Sequence, residues 1–137
     1  MEKVSVVITY SGNNFGAFVP ALPGCVATGE SPSEIMDHIK EAIAFHIEGS
    51  LADNDPLDDL FRGPFELVYE FQVIGLLNYF KGIFTNAALE KMTGINQKQL
   101  QHYASGLKKP RPEQALKIER ALHNLGNHLL ELKLVNA

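Results

Sequence analysis

The sequence predicts an α+β module followed by an all-α one, and three observations carry that division. The first is charge: residues 1–75 hold 3 basic residues against 12 acidic ones, a formal −9, whereas residues 76–137 hold 9 against 4, a formal +5. The second is periodicity, with apolar residues alternating along strand-like segments of the acidic part and recurring at helical spacing in the basic part. The third is a tight glycine turn between two short helical segments of the basic part. The boundary is drawn after Gly75, giving domains of residues 1–75 and 76–137. An acidic domain repels nucleic acid and favours a basic protein, and a basic one favours phosphate, so two modules with two different partners are expected.

Composition narrows the class. A chain of 137 residues with 45% hydrophobic content can bury a core as one domain or as two small ones. Met1-Glu2-Lys3-Val4 lacks the apolar stretch of a signal peptide, and no run approaches the roughly 18 apolar residues of a membrane span. A cytoplasmic protein with no membrane partner is expected. A single cysteine, Cys25, excludes an intramolecular disulfide and any multi-cysteine zinc site.

Within the acidic domain, Val4, Val6, Ile8 and Tyr10 alternate with Ser5, Val7 and Thr9 and predict a first strand. Ser11-Gly12-Asn13-Asn14 is a turn cluster, Phe15 to Val19 resumes as a second strand, and Cys25 to Gly29 follows Pro20–Gly24 as a short third one. These make an antiparallel meander. Ser31-Pro32-Ser33-Glu34 then starts a helix: Ser31 caps, Pro32 suits the first helical position, and Glu34 stands where a capping box wants a carboxylate. Ile35, Ile39, Ala42, Ile43 and Ile47 form its apolar face, and Gly49 is the expected stop. A last strand is predicted where Phe65, Leu67, Tyr69, Phe71 and Val73 alternate with Glu66, Val68, Glu70 and Gln72. His38 and His46 stand too far apart on the helix for one metal and are expected on its solvated face. Asp53, Asp55, Asp58 and Asp59 lack the central glycine and closing glutamate of a calcium loop, so no metal site is expected there.

In the basic domain, Thr85 caps a short helix through Met92, Thr93-Gly94-Ile95-Asn96 turns the chain, and Gln97 to Ala104 forms a second helix with Asn96 as cap and Gln99 as its capping-box partner. Leu89, Ile95, Leu100 and Tyr103 are expected to pack the pair together. Ser105-Gly106 ends the second helix, and Ala115, Ile118, Leu122 and Leu125 predict a further amphipathic one. Two short helices around a glycine turn, the second opening with amide-bearing residues, make a helix-turn-helix whose second helix enters the major groove. The expected DNA-binding residues are Asn86, Asn96, Gln97, Lys98, Gln101, His102, Lys108, Lys109 and Arg111. Glutamine pairs bidentately with adenine and lysine donates to guanine; Asn86 is placed for a phosphate, and the trailing bases suit the DNA backbone.

The stretch Phe15-Gly16-Ala17-Phe18-Val19-Pro20-Ala21-Leu22-Pro23-Gly24-Cys25-Val26-Ala27-Thr28-Gly29-Glu30-Ser31 resembles the signature of HicB antitoxins. Leu89-Glu90-Lys91-Met92-Thr93-Gly94-Ile95-Asn96-Gln97-Lys98-Gln99-Leu100, continuing through Tyr103-Ala104-Ser105-Gly106, is similar to the phage-repressor (Xre-like) helix-turn-helix that such antitoxins often carry at the C-terminus. The resemblance implies a degenerate, incomplete ribonuclease H-like module, here of antiparallel strands plus a helix, that binds and blocks HicA, a small basic mRNA-cleaving toxin. It also implies a C-terminal domain that binds the operator of its own operon. Two departures stand out: the first strand carries none of the carboxylates that ribonuclease H needs for magnesium, and Glu90 occupies a position usually held by alanine or glycine, because it faces the second helix.

Neither clustered carboxylates nor a positioned histidine pair supports a nuclease, so no catalytic residue and no cofactor are expected. The alternative to an antitoxin and repressor is a helix-turn-helix transcription factor whose N-terminal domain senses a small ligand. A homodimer or homotetramer is expected, because one such module reads few base pairs and a dimer reads two half-sites about 34 Å apart. Leu125, Leu129, Leu130, Leu132 and Leu134 are a candidate dimer surface, with packing inside the domain as the other option.

Overall fold

Alternating apolar residues become β1 (Glu2–Ser11), whose Val4, Val6 and Ile8 are fully buried while Ser5, Val7 and Thr9 point to the other face. The computed structural model describes residues 1–136. Gly12 and Asn13, both at positive φ (58° and 66°), form the two-residue turn that leads into β2 (Asn14–Phe18), in the geometry that matches strand twist. β3 (Val26–Gly29) pairs antiparallel with β2, completing the expected meander. Between β2 and β3 the chain folds on itself through Leu22 N–H to Val19 O (2.9 Å) and Cys25 N–H to Leu22 O (3.0 Å). These bonds turn the Leu22 and Cys25 side chains into the core.

α1 (Pro32–Ala52) starts as its sequence dictates, with Ser31 Oγ accepting the Glu34 N–H at 3.2 Å. Ile35, Ile39 and Ile43 bury against Val4, Val6 and Ile8. Close approach to the sheet requires Gly29: a Cβ there would stand 2.7 Å from the Ile35 nitrogen. Gly49 does not stop the helix; it lies in the last turn, its carbonyl accepting the Asp53 N–H at 3.0 Å. His38 is exposed, as expected, and its Nδ1 also donates to the Thr28 carbonyl at 2.6 Å, which ties α1 to β3. In the acidic loop Asp58 caps a 3-10 turn (Asp59–Arg62) through Leu60 N–H at 3.1 Å, and that turn delivers Phe61 to the core.

β4 (Phe65–Phe71) pairs with β1 in parallel, so the sheet is mixed, with order β3-β2-β1-β4, rather than wholly antiparallel. The reason is the crossover: α1 and the acidic loop carry the chain back to the starting end of β1 before β4 begins. The strand also ends two residues earlier than expected. Val73 opens a short helix, α2 (Val73–Tyr79), whose Tyr79 ring stands 5.8 Å from Phe15 and 5.0 Å from Phe71. Because α2 packs on this aromatic cluster, the first compact unit runs from Met1 to Phe80, past the Gly75 boundary expected from charge, and the second begins at Lys81. Residues 76–80 carry no charge, so the −9 total is unchanged.

The second unit is all-α: α3 (Asn86–Thr93), α4 (Gln97–Ser105) and α5 (Pro112–Glu131). Thr85 Oγ1 caps α3 at Ala88 N–H (3.0 Å), and Gly94 ends it in the left-handed conformation, φ 77°. Leu89, Ile95, Leu100, Tyr103 and Ile118 are its buried apolar side chains. The α+β class of the first unit and the all-α class of the second agree with the sequence. No helix among the described residues is long and apolar enough to cross a membrane.

Candidate functional sites

The start of α4 is built by two side chains. Asn96 Oδ1 accepts the Lys98 N–H at 2.8 Å, as its cap position predicts. Glu90, reaching across from α3, accepts the Gln97 backbone N–H at 2.9 Å and the Gln97 side-chain amide at 3.4 Å. A carboxylate set against free N–H groups at a helix N-terminus is favourable both as a charge-assisted bond and through the helix dipole. This explains why a glutamate is accommodated where two helices face each other. Sequence reasoning missed the contact, although an acid opposite the predicted N-terminus of the second helix was its signal. Gln99, expected to close a capping box, donates instead to the Tyr103 hydroxyl at 3.0 Å.

Gln97, Lys98 and Gln101 are exposed on α4. Asn86 is half-buried and donates from Nδ2 to Gln101 Oε1 at 3.0 Å, so these two expected contact residues are held together. His102 is half-buried, and its Nδ1 is buried with no hydrogen-bond partner among the described residues. Lys108, Lys109 and Arg111 are exposed in the segment after α4, which is tied back by Lys108 N–H to His102 O at 3.2 Å. Asn96 is exposed, with its side-chain oxygen committed to the cap.

α5 buries only Ile118 fully, and its distal part is bare: Leu129 is 56% exposed, Leu130 85%, and beyond the helix Leu132 is 68% and Leu134 93%. Leu125 is half-buried, in keeping with packing within the unit, whereas these four leucines are not packed there.

In the first unit both helices cover one sheet face. The opposite face carries Val7, Phe18, Val26 and Val68 among Lys3, Ser5, Thr9, Thr28, Glu66 and Glu70, with Lys3 beside Glu66. Cys25 lies in the core, where burial pushes its thiol pKa above the ordinary 9.0. Among the described residues no three His, Cys, Asp or Glu side chains converge as metal ligands; Asp58 serves as a cap, and Asp59 stands 3.7 Å from Arg62.

The structure thus joins an acidic two-layer unit to a basic three-helix unit with an exposed polar helix. Among the comparisons with known proteins, the family match falls within the first unit. Residues 4–61 match the family described as "HicB_like antitoxin of bacterial toxin-antitoxin system". A UPF0150 protein of Helicobacter pylori is 42% identical over 50 residues, covering 36% of this chain and 69% of that one. Another UPF0150 protein, from Thermoplasma acidophilum, is 38% identical over 56 residues, 40% of this chain and 81% of its own. An uncharacterised 14.9 kDa protein from the rep-hol intergenic region of Haemophilus phage HP1 is 54% identical over 39 residues, and the match spans only 29% of its length. No solved structure matches the chain significantly. The chain belongs to the HicB-like antitoxin family.

Proposed function

We propose that this protein is an antitoxin that neutralises a small basic HicA-type mRNA-cleaving toxin through its first unit and represses its own operon by binding operator DNA through its second. The observation that carries the proposal is the division of charge between two compact units, −9 and +5, with the family match confined to the acidic one. Opposite fields accelerate encounter with a basic toxin on one side and with DNA phosphate on the other.

In the second unit α3, the Gly94 turn and α4 form the helix-turn-helix, with Gln97, Lys98 and Gln101 toward base edges and Lys108, Lys109 and Arg111 toward phosphates. Asn86 supports this surface by holding Gln101. The exposed leucines beyond Ile118 form the dimer surface, which brings two recognition helices to successive half-sites. A reporter driven by the operon's own promoter tests the repressor half. Expression of the full chain should silence it, and Gln97→Ala together with Lys98→Ala should release it. Undiminished reporter activity with the folded wild-type chain present rules repression out. Sedimentation showing only monomer at micromolar concentration, with operator affinity unimpaired, removes the dimer.

A further inference from the structure

An antiparallel sheet covered on one side normally turns polar residues to water on the other. The first unit departs from that pattern along one row and at one further position of β4. Val7 on β1 pairs with Phe18 on β2, and Phe18 pairs with Val26 on β3, so three apolar side chains stand side by side on the uncovered face. On the far side of Val7 the register places Glu70 of β4, and the row ends in a carboxylate. Val68 adds a fourth apolar side chain beside Ser5, between Glu66 and Glu70 along β4. Phe18 is 41% exposed, Val26 65% and Val68 39%, whereas Val4, Val6 and Ile8 on the opposite face are at most 1% exposed. Contiguous apolar surface bordered by polar groups marks an interaction site.

We propose that this sheet face is the docking surface for the basic toxin, with the Val26–Phe18–Val7 row as its apolar centre and Glu66 and Glu70 as its charged margin. The inference rests on the antitoxin reading and adds the surface to it. Charge selects the occupant. The unit holds 12 acids against 3 bases, so a second copy laid on this face would bring like fields together. A basic protein with apolar residues at its own contact satisfies both the row and the margin. The glutamates act mainly on association rate and salt dependence, and the aromatic centre on dissociation.

The test measures binding of the full chain to an inactivated HicA-type toxin. Phe18→Lys with Val26→Lys places two positive charges in the row and should weaken binding at least ~30-fold, the scale of a lost hot spot. Phe45→Lys is the control, because Phe45 is 79% exposed on α1, the helix that covers the other face. It should leave affinity within about twofold, as surface positions outside an interface do. Glu66→Gln with Glu70→Gln should slow association and flatten its salt dependence, leaving dissociation nearly unchanged. Circular dichroism checks each variant's fold; should the double lysine variant unfold, Val26→Lys alone replaces it at its more exposed position. Toxin binding by wild type and row variant with equal affinity overturns the surface assignment while leaving the antitoxin reading intact. No binding by the wild-type chain overturns both. A row variant that changes sedimentation of the chain yet keeps toxin affinity assigns the face to a second copy and also overturns the proposal.

Discussion

Glu90→Ala is the substitution that most sharply probes how the second unit holds its exposed helix. The carboxylate accepts the Gln97 N–H at 2.9 Å and the Gln97 side chain at 3.4 Å. A hydrogen bond to a charged group contributes roughly 1.5–3 kcal/mol, and a charge at a helix end about 0.3–1 kcal/mol. Glu90 is half-exposed, so the low end applies, and alanine's better helix propensity returns a few tenths of a kcal/mol. The net loss is about 1 kcal/mol. In a domain this small that lowers the melting temperature by roughly 4–8 °C. Amide exchange read by NMR is the direct assay: the Gln97 N–H should exchange about fivefold faster, the equivalent of ~1 kcal/mol. Glu90→Gln keeps one acceptor oxygen and should fall between wild type and alanine. Unchanged exchange at Gln97 with unchanged melting would refute the cap and the account of why a glutamate stands there.

Gly29→Ala should destabilise the first unit by at least about 1–3 kcal/mol, the cost of overpacking, because the new Cβ would meet backbone rather than a movable side chain; urea unfolding measures it, and a neutral result contradicts the close approach of β3 to α1. Replacing Gln97 by alanine should cost about 1–3 kcal/mol on operator DNA and little on random DNA. Lys109→Ala should weaken both alike and reduce the salt slope by roughly one unit, and binding isotherms on operator and scrambled duplexes at several salt concentrations separate the two. At alkaline pH the first unit should lose stability. The Cys25 thiol and the Tyr69 and Tyr79 hydroxyls all have pKa values raised by burial, with Tyr69 adding to the shift at Tyr79. A raised folded-state pKa means the unfolded chain ionises first. The stabilisation is therefore complete below the ordinary value of 9.0 for Cys25 and is lost as pH rises past it. Denaturant midpoints that stay level or rise above pH 9 contradict the buried placement.

Local signals were legible in the sequence because their causes are local. The period of two in β1, the Ser31-Pro32 start of α1, the caps Thr85 and Asn96 and the left-handed Gly94 turn each arise from a few neighbouring residues. What escaped notice depends on residues far apart in the chain. The parallel pairing of β4 with β1 joins residues some 60 positions apart, and alternation alone does not reveal a partner strand's direction. α2 is 7 residues long, too short for helical periodicity to separate it from the strand before it. Glu90 stands out in the sequence and His38 does not, but in both cases the partner, the Gln97 N–H or the Thr28 carbonyl, is set only by the fold. The apolar row on the open face was visible only as single residues, Val7, Phe18 and Val26, and the register makes them adjacent.

The central claim is that the acidic unit of this chain silences a basic mRNA-cleaving protein. The measurement that tests it most directly is a titration of full-length chain into a fixed amount of active HicA-type toxin, with cleavage of a defined mRNA as the readout. Cleavage should fall in proportion to added chain and cease at a fixed stoichiometry, and it should do so equally with a chain carrying Gln97→Ala and Lys109→Ala. Continued cleavage at several-fold excess of folded chain would contradict the account.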